Sequence, residues 1–210
     1  MNADFSSVNI IVFIVVLLLS VSFHEAMHAF TAHWLGDTTA RDMGRLTLNP
    51  LKHLDLYTSI VLPVVLVLLG LPPFFVARPV PFNPDRVKFD EFGAALIGVA
   101  GPASNFLLAG LGALFLRGVG EQLSLGVVEA LLIFVKINVA IGVFNMIPFP
   151  PLDGSRLLYA FAPEPVQRVM YSIESGGFTT IAIFMFIFLY TGVGTVIINI
   201  DNSILRFLLG

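Results

Sequence analysis

Residues 8–34 read VNIIVFIVVLLLSVSFHEAMHAFTAHW, an unbroken stretch that is apolar over most of its length. A helix of this length extends about 40 Å at 1.5 Å per residue, which is enough to cross a hydrocarbon core of about 30 Å. Ser6 or Ser7 can cap its first turn, and Gly36 followed by Asp37 is typical of a helix end. We therefore predict a membrane-spanning helix over about 8–34.

The composition of the whole chain indicates a membrane protein. Of its 210 residues, 57% are hydrophobic and 12% are charged, about half the ~25% charged share of a soluble domain, and the mean hydropathy is +0.91. A net charge of -3 without a basic run excludes a nucleic-acid-binding surface. Cysteine is absent from the sequence, so any metal ion must be held by His, Asp or Glu.

Further apolar stretches predict an all-α polytopic membrane protein that forms a single domain over 1–210. Besides the first helix, we predict spans over about 92–116, 123–145 and 178–200. The stretch 56–82 differs, because prolines end its helical potential after about 14 residues, short of the ~20 that a span needs. We expect it to be a re-entrant Pro-rich hairpin that enters and leaves on one side of the membrane.

His24, Glu25 and His28 lie near the end of the first predicted helix. His24 and His28 are one helical turn apart, so both imidazoles can reach one metal ion, and Glu25 beside them can act as an acid and base. This short pattern also occurs by chance. Ionisable residues inside a membrane span are costly, however, and mark functional sites. We therefore favour a metal site over two histidines that only bond to backbone carbonyls.

A catalytic zinc ion needs a third protein ligand. The candidates are the carboxylates in apolar surroundings, which are Glu121, Glu129 and Asp153. Asp153 follows a Pro-rich stretch, 148–151, that breaks the helix at the end of the third span. Irregular backbone at membrane depth is tolerated only where it is buried in protein or lines a cavity. We therefore favour Asp153 as the ligand; an aspartate in an interfacial loop is the alternative.

Other polar residues in the spans have structural interpretations. We expect Asn105 to hydrogen-bond to a neighbouring helix, as polar side chains in membrane bundles do. Asn138 and Asn145 are seven residues apart and share a helix face, which we expect to look toward the first span. Glu129 and Lys136 are also seven residues apart and either pair with each other or reach toward the membrane interfaces.

Three motifs occur in order along the chain: HEAMH at 24–28, GPASNF at 101–106 and NMIPFPPLDG at 145–154. Together they resemble the site-2 protease family of intramembrane zinc metalloproteases, peptidase family M50. The stretch RPVPFN at 78–83 is similar to one in the compact members of that family, which lack PDZ and CBS domains. The resemblance covers most of the chain.

The resemblance implies a set of site residues and a cofactor. It implies that one Zn²⁺ ion is bound by His24, His28 and Asp153, and that Glu25 is the catalytic acid and base. It also implies that Asn145 helps to hold the substrate strand or the developing oxyanion.

The function implied is an intramembrane zinc metalloprotease that hydrolyses peptide bonds in or near transmembrane segments of other proteins, in regulated proteolysis or in clearance of membrane remnants. Its partners would be transmembrane substrates and the lipid bilayer, and homo-oligomerisation is left open. One alternative is a non-proteolytic channel, transporter or scaffold with a structural metal site. Another is a protease that acts on soluble or lipidated peptides at the membrane interface.

A transmembrane helix hides its carbonyl groups in hydrogen bonds, so a substrate must be opened into an extended strand before it is attacked. The extended backbone of Val80, Pro81 and Phe82 can pair with such a strand through hydrogen bonds. The alternative is a structural loop that only covers the site.

The basic residues predict the orientation of this multi-pass protein in the cell membrane. If the N-terminus is extracytoplasmic, His24 lies about 24 Å along the first helix and the active site is toward the cytoplasmic side. Arg117 and Arg206 then lie outside and Lys136 lies within a span. The cytoplasmic side receives the other eight of the 11 basic residues, in agreement with the positive-inside rule: Arg41, Arg45, Lys52, Arg78, Arg86, Lys88, Arg156 and Arg168.

Overall fold

A computed structural model describes residues 7–61, 65, 68 and 80–210. Within these residues the protein is built of long helices joined by short turns. The helices are α1 (Ser7–Trp34), α2 (Asp90–Val119), α3 (Leu125–Asn145), α4 (Gly154–Phe161), α5 (Glu164–Ser175), α6 (Phe178–Tyr190) and α7 (Gly192–Leu209). Shorter helical turns lie at Thr39–Asp42, Pro50–Lys52, Leu56–Val61, Pro84–Arg86 and Gly120–Gln122.

Four stretches of the described chain are long and apolar enough to cross a membrane. They are Val8–Trp34, Asp90–Gln122, Leu125–Asn145 and Gly192–Leu209. The prediction of an all-α polytopic membrane protein with about four transmembrane helices is therefore confirmed. That the chain forms one domain over its whole length stays a prediction.

Gly36 ends α1, as the sequence predicts. Its φ of 105° is readily adopted only by glycine. The N–H of Asp37 donates to the carbonyl of Ala32, and the N–H of Gly36 donates to that of His33. This hydrogen-bond pattern is the Schellman motif, which satisfies carbonyls that the helix end leaves open. The chain then turns back toward α1, which places Asp37 beside the segment that precedes α2.

Helices α2 and α3 pack through small and β-branched side chains. Ala109 and Ala113 of α2 meet Val135, Val139 and Val143 of α3 in a buried cluster. Small residues let helices approach closely in a membrane, where dispersion contacts replace the hydrophobic driving force. α7 covers this cluster with its apolar side chains, and α1 packs on the other parts of α2 and α3.

The predicted last span, 178–200, is wrong in its bounds. The helix that starts at Phe178 ends at Tyr190, and α7 begins anew at Gly192. Between them the backbone of Thr191 is extended. The hydroxyl of Thr191 donates to the carbonyl of Ile187 over 2.6 Å and accepts from the N–H of Val193 over 3.3 Å. Threonine offers the backbone these alternative partners and so ends one helix and caps the next. Hydropathy alone does not register such a break.

Most of the predicted re-entrant hairpin, at 62–64, 66–67 and 69–79, lies outside the described residues, so its topology stays a prediction. Its two ends are described: a π-helical turn at Leu56–Val61 and an irregular segment from Val80 to Asn83. The predicted break near the site is present, because α3 ends at Asn145 and α4 begins at Gly154.

Candidate metal centre

His24 and His28 lie one turn apart on α1 and face α2. Both side chains are buried, with 5% and 9% of their surface exposed. Asp153, in the turn between α3 and α4, completes the group from the other side. One helix and one turn thus bring together the three residues that the sequence predicts as metal ligands, and among the described residues they are the one group of three potential ligands found.

The three potential ligand atoms are close to one another. Oδ2 of Asp153 is 3.0 Å from Nε2 of His24 and 3.3 Å from Nε2 of His28. The two Nε2 atoms are 3.0 Å apart. Zinc bonds of about 2.0–2.1 Å in a tetrahedral arrangement put ligand atoms about 3.3 Å apart. The observed spacing therefore fits the size of a zinc ion.

Hydrogen bonds at the other ring nitrogens determine which tautomers the histidines adopt. Nδ1 of His28 is 2.6 Å from the carbonyl oxygen of Ile97. A carbonyl only accepts, so this nitrogen carries the proton, and Nε2 is the ring nitrogen left to bind a metal ion. Nδ1 of His24 makes a contact of the same length with Oδ1 of Asn105. Partners of this kind orient metal-ligating histidines.

Gly101 of α2 makes room for the two imidazoles. A Cβ at this position would lie 2.4 Å from Nε2 of His28 and 2.7 Å from Cε1 of His24. Both distances are shorter than any van der Waals contact. The close approach of α2 to the histidines therefore requires glycine here.

The turn from Met146 to Asp153 positions the carboxylate. Gly154 lets this turn close, because a Cβ there would lie 2.3 Å from the carbonyl oxygen of Met146. Phe149 anchors the turn by stacking on Phe184 of α6 with ring centroids 5.2 Å apart. Its Oδ2 oxygen faces the Nε2 atoms of both histidines, and aspartate binds a metal ion through such a carboxylate oxygen.

Glu25 is half-buried and hydrogen-bonded to the segment that begins at Val80. The N–H of Val80 donates to Oε2 of Glu25 over 3.0 Å. Pro81 and Phe82 follow directly, so the three residues predicted to pair with a substrate lie beside the predicted catalytic glutamate. Glu25 itself is not one of the three clustered ligands.

Asp37 and Arg156 hold the same segment from two other directions. Asp37, fully buried, accepts from the N–H of Asn83 over 2.7 Å and from the N–H and hydroxyl of Thr39. Burial raises the pKa of Asp37, but these hydrogen bonds more than compensate and keep the pKa below its ordinary value. The guanidinium of Arg156 lies 5.3 Å from the ring centroid of Phe82 and also pairs with Glu174.

The remaining predicted residues are placed as follows. Asn145 is half-buried at the last position of α3, where its side-chain N–H donates to the carbonyl of Ile141 over 3.0 Å. Glu121 and Glu129, the alternative third ligands, are exposed and outside the cluster. Glu129 and Lys136 are both exposed, and no salt bridge joins them in the described part of the chain.

Residues 115–189 match the model of peptidase family M50, and this segment contains Asn145 and Asp153. The chain is 36% identical to YwhC of Bacillus subtilis in an alignment that covers 79% of this chain and 75% of YwhC. It is 28% identical to Rip2 of Mycolicibacterium smegmatis, with 93% of this chain and 81% of Rip2 covered. Both relatives carry the name "Putative zinc metalloprotease". No solved structure matches the chain significantly.

Proposed function

Because this chain belongs to peptidase family M50, the site-2 protease family of intramembrane zinc metalloproteases, we propose that His24, His28 and Asp153 hold its zinc ion and that Glu25 is the catalytic acid and base. The substrates are membrane proteins, and we propose that the bonds cleaved lie in or near their transmembrane segments. The observation that carries this proposal is the convergence of two imidazole nitrogens and one carboxylate oxygen within 3.3 Å of one another.

Zinc, Glu25 and Asn145 have separate roles in the proposed reaction. Zinc, when bound, supplies a Lewis acid that polarises the scissile carbonyl and makes water a nucleophile near neutral pH. The carboxylate of Glu25 takes a proton from the attacking water and returns it to the leaving amine. Because Oε2 of Glu25 accepts from Val80, we assign the proton to Oε1. Asn145, at the start of the turn that carries Asp153, orients the scissile carbonyl.

The segment from Val80 to Phe82 is the proposed docking edge for an unwound substrate strand. Its ends are fixed by the hydrogen bonds of Val80 to Glu25 and of Asn83 to Asp37. An edge that is ordered before binding costs less entropy when a strand pairs with it. Its position beside Glu25 would bring a paired strand close to the catalytic carboxylate.

An apolar groove of about 810 Å³ borders the turn that carries Asp153. Residues from α2, from the end of α3 and its following turn, and from α7 form it, among them Phe106, Val143, Met146, Pro148, Val193 and Val196. An apolar groove at this place favours a substrate that arrives through the membrane over a soluble peptide. It therefore supports transmembrane segments as substrates.

We propose that the N-terminus is extracytoplasmic and the site is toward the cytoplasmic side of the cell membrane. The distribution of basic residues supports this orientation. The packing of α7 on α2 is in keeping with it, since the side chain of Arg117, at the end of α2, donates to the carbonyl of Phe207, next to Arg206. The two arginines assigned to the outer side are thus neighbours.

Zinc binding by variants of the candidate third ligands tests the ligand set. We expect one zinc ion per chain in the wild type and in Glu129→Ala, which removes an exposed carboxylate outside the cluster. Asp153→Ala should lose the zinc and the cleavage of membrane-protein substrates together, because only two protein ligands remain. Full zinc occupancy in Asp153→Ala would rule out this ligand set.

A non-proteolytic channel, transporter or scaffold with a structural metal site would also need the three ligands. It would not need Glu25, which gives the two functions different mutational signatures.

A further inference from the structure

A chain of buried polar groups runs from His24 into the centre of the helix bundle. It consists of Asn105 on α2, Asn138 on α3 and Ser20 on α1, one turn before His24. Asn105 and Asn138 are fully buried and Ser20 is 1% exposed. Polar groups buried this completely in a membrane span are costly unless each finds a partner. Their hydrogen bonds are therefore informative about what they are for.

The amide of Asn138 can point in only one direction. Its Nδ2 donates to the carbonyl oxygen of Phe134 and to the hydroxyl oxygen of Ser20, both over 2.9 Å. A backbone carbonyl only accepts, so the amide nitrogen of Asn138 must be on that side. Its oxygen, Oδ1, therefore faces Asn105.

The orientation of the Asn138 amide fixes the orientation of the Asn105 amide, which in turn fixes where His24 carries a proton. Nδ2 of Asn105 donates to Oδ1 of Asn138 over 2.8 Å and to the carbonyl of Ser20 over 3.4 Å. Oδ1 of Asn105 must then face Nδ1 of His24, which is 2.6 Å away. Since an amide oxygen only accepts, Nδ1 carries the proton and Nε2 is left with its lone pair.

We propose that Asn105 and Asn138 are positioning residues that hold His24 as its Nδ1-protonated tautomer, with Nε2 ready to bind the metal ion. The backbone carbonyls of Phe134 and Ser20 set the direction of the whole chain. The inference rests on the proposed zinc site, because it assigns His24 as a ligand. A turned amide at either asparagine would place two donors or two acceptors against each other in a dry interior.

The tautomer is observable in the wild-type protein without metal. We expect ¹⁵N NMR of histidine-labelled protein to show a proton on Nδ1 of His24, the nitrogen that faces Oδ1 of Asn105. Asn138→Leu, which is close in size but has no polar atoms, should leave Asn105 free to turn and give His24 signals of mixed tautomers. A single Nε2-protonated form in the wild type would overturn the proposal whether or not any variant folds.

Zinc affinity, measured by competition with a chelator, provides the second readout. Asn105→Leu should weaken zinc binding by roughly 10–100-fold, the usual effect of losing such a partner, and Asn138→Leu should weaken it less. Ser22→Ala is the matched control, since Ser22 is a buried serine of α1 whose hydroxyl donates to the carbonyl of Leu18 in its own helix.

The outcomes separate the two proposals. If the wild type binds no zinc, the proposed function fails, while the NMR of the metal-free protein still tests the tautomer. If the wild type binds zinc and Asn105→Leu and Asn138→Leu bind it equally well, with unchanged His24 signals, the positioning role is refuted.

Discussion

At the level of single residues, the metal centre requires a position without a side chain next to its two histidines. Gly101 contributes no side chain, and the two imidazoles occupy the space where its Cβ would be. Because both imidazoles are also fixed at Nδ1 by Asn105 and Ile97, they cannot move aside without losing those hydrogen bonds. A glycine can in this way be required by a metal site to which it contributes no ligand atom.

Gly101→Ala should therefore weaken zinc binding by roughly 10–100-fold, the scale seen when the groups that orient a ligand are disturbed. Gly110→Ala is the control, because Gly110 lies on the same helix and a Cβ there meets nothing within 4 Å. The control should keep its zinc affinity and gain up to about 1 kcal/mol of stability, since alanine is the better helix former. Equal zinc affinities in the two variants would contradict this explanation of Gly101.

The residues that carry chemistry were easier to predict than those that position them. His24 and His28 could be identified because their spacing on a helix has a direct geometric meaning and because charge is rare in this chain. Asp37 gave no such signal, since an aspartate after a helix-ending glycine is common in solvated loops. Only the structure shows that it is buried and accepts from Asn83, 46 residues further along.

At the scale of elements, the segment from Val80 to Asn83 connects the catalytic glutamate to the rest of the fold. Its partners come from three separate parts of the chain: Glu25 from α1, Asp37 from the loop after α1, and Arg156 from α4. Since α4 directly follows Asp153, the proposed substrate edge and the proposed metal ligand are mechanically linked. Movement of one would disturb the other.

Val80→Pro removes the N–H that donates to Glu25 and leaves the helices unchanged. A hydrogen bond to a charged group contributes about 1.5–3 kcal/mol, so kcat/KM for a transmembrane substrate should fall roughly 10–100-fold. Zinc content should not change, because Val80 bonds to Glu25, which is not one of the three proposed ligands. Val80→Ala retains the N–H and should cleave nearly as well as wild type; an equal loss in both variants would show that the hydrogen bond is not what matters.

Helix existence could be predicted from apolar length, whereas helix ends depended on local chemistry. Gly36 and the Pro-rich turn before Asp153 are strong signals, and both ends are where we predicted them. The break at Thr191 has only a threonine and a glycine to indicate it, inside a stretch whose hydropathy is continuous. The capping bonds of Thr191 with Ile187 and Val193 decide that boundary.

At the scale of the whole molecule, the spans form a bundle in which α2 is central. It packs against α1 at the metal centre, against α3 in the apolar cluster and against α7 near its end. The packing order of the helices follows from contacts between small side chains that the sequence pattern did not specify. The fold class could be predicted from composition, but this arrangement could not.

The absence of cysteine makes the orientation directly measurable with single introduced thiols. Met43→Cys and Gln122→Cys place one exposed thiol in each of two loops on opposite sides of the proposed membrane. In intact cells, a membrane-impermeant maleimide should label Gln122→Cys, and should label Met43→Cys only after the cells are lysed. The reverse labelling pattern would contradict the extracytoplasmic N-terminus.

A comparison of wild type with Glu25→Gln in lipid, in which bound zinc and the cleavage of a set of transmembrane segments are measured in the same preparations, tests the proposed role of Glu25. Because Glu25 moves protons and does not bind the metal, we expect one zinc ion per chain in both proteins and a loss of cleavage of about 100-fold or more in the variant. Undiminished cleavage by Glu25→Gln would rule out Glu25 as the catalytic acid and base, and no zinc in the wild type would rule out the metal centre.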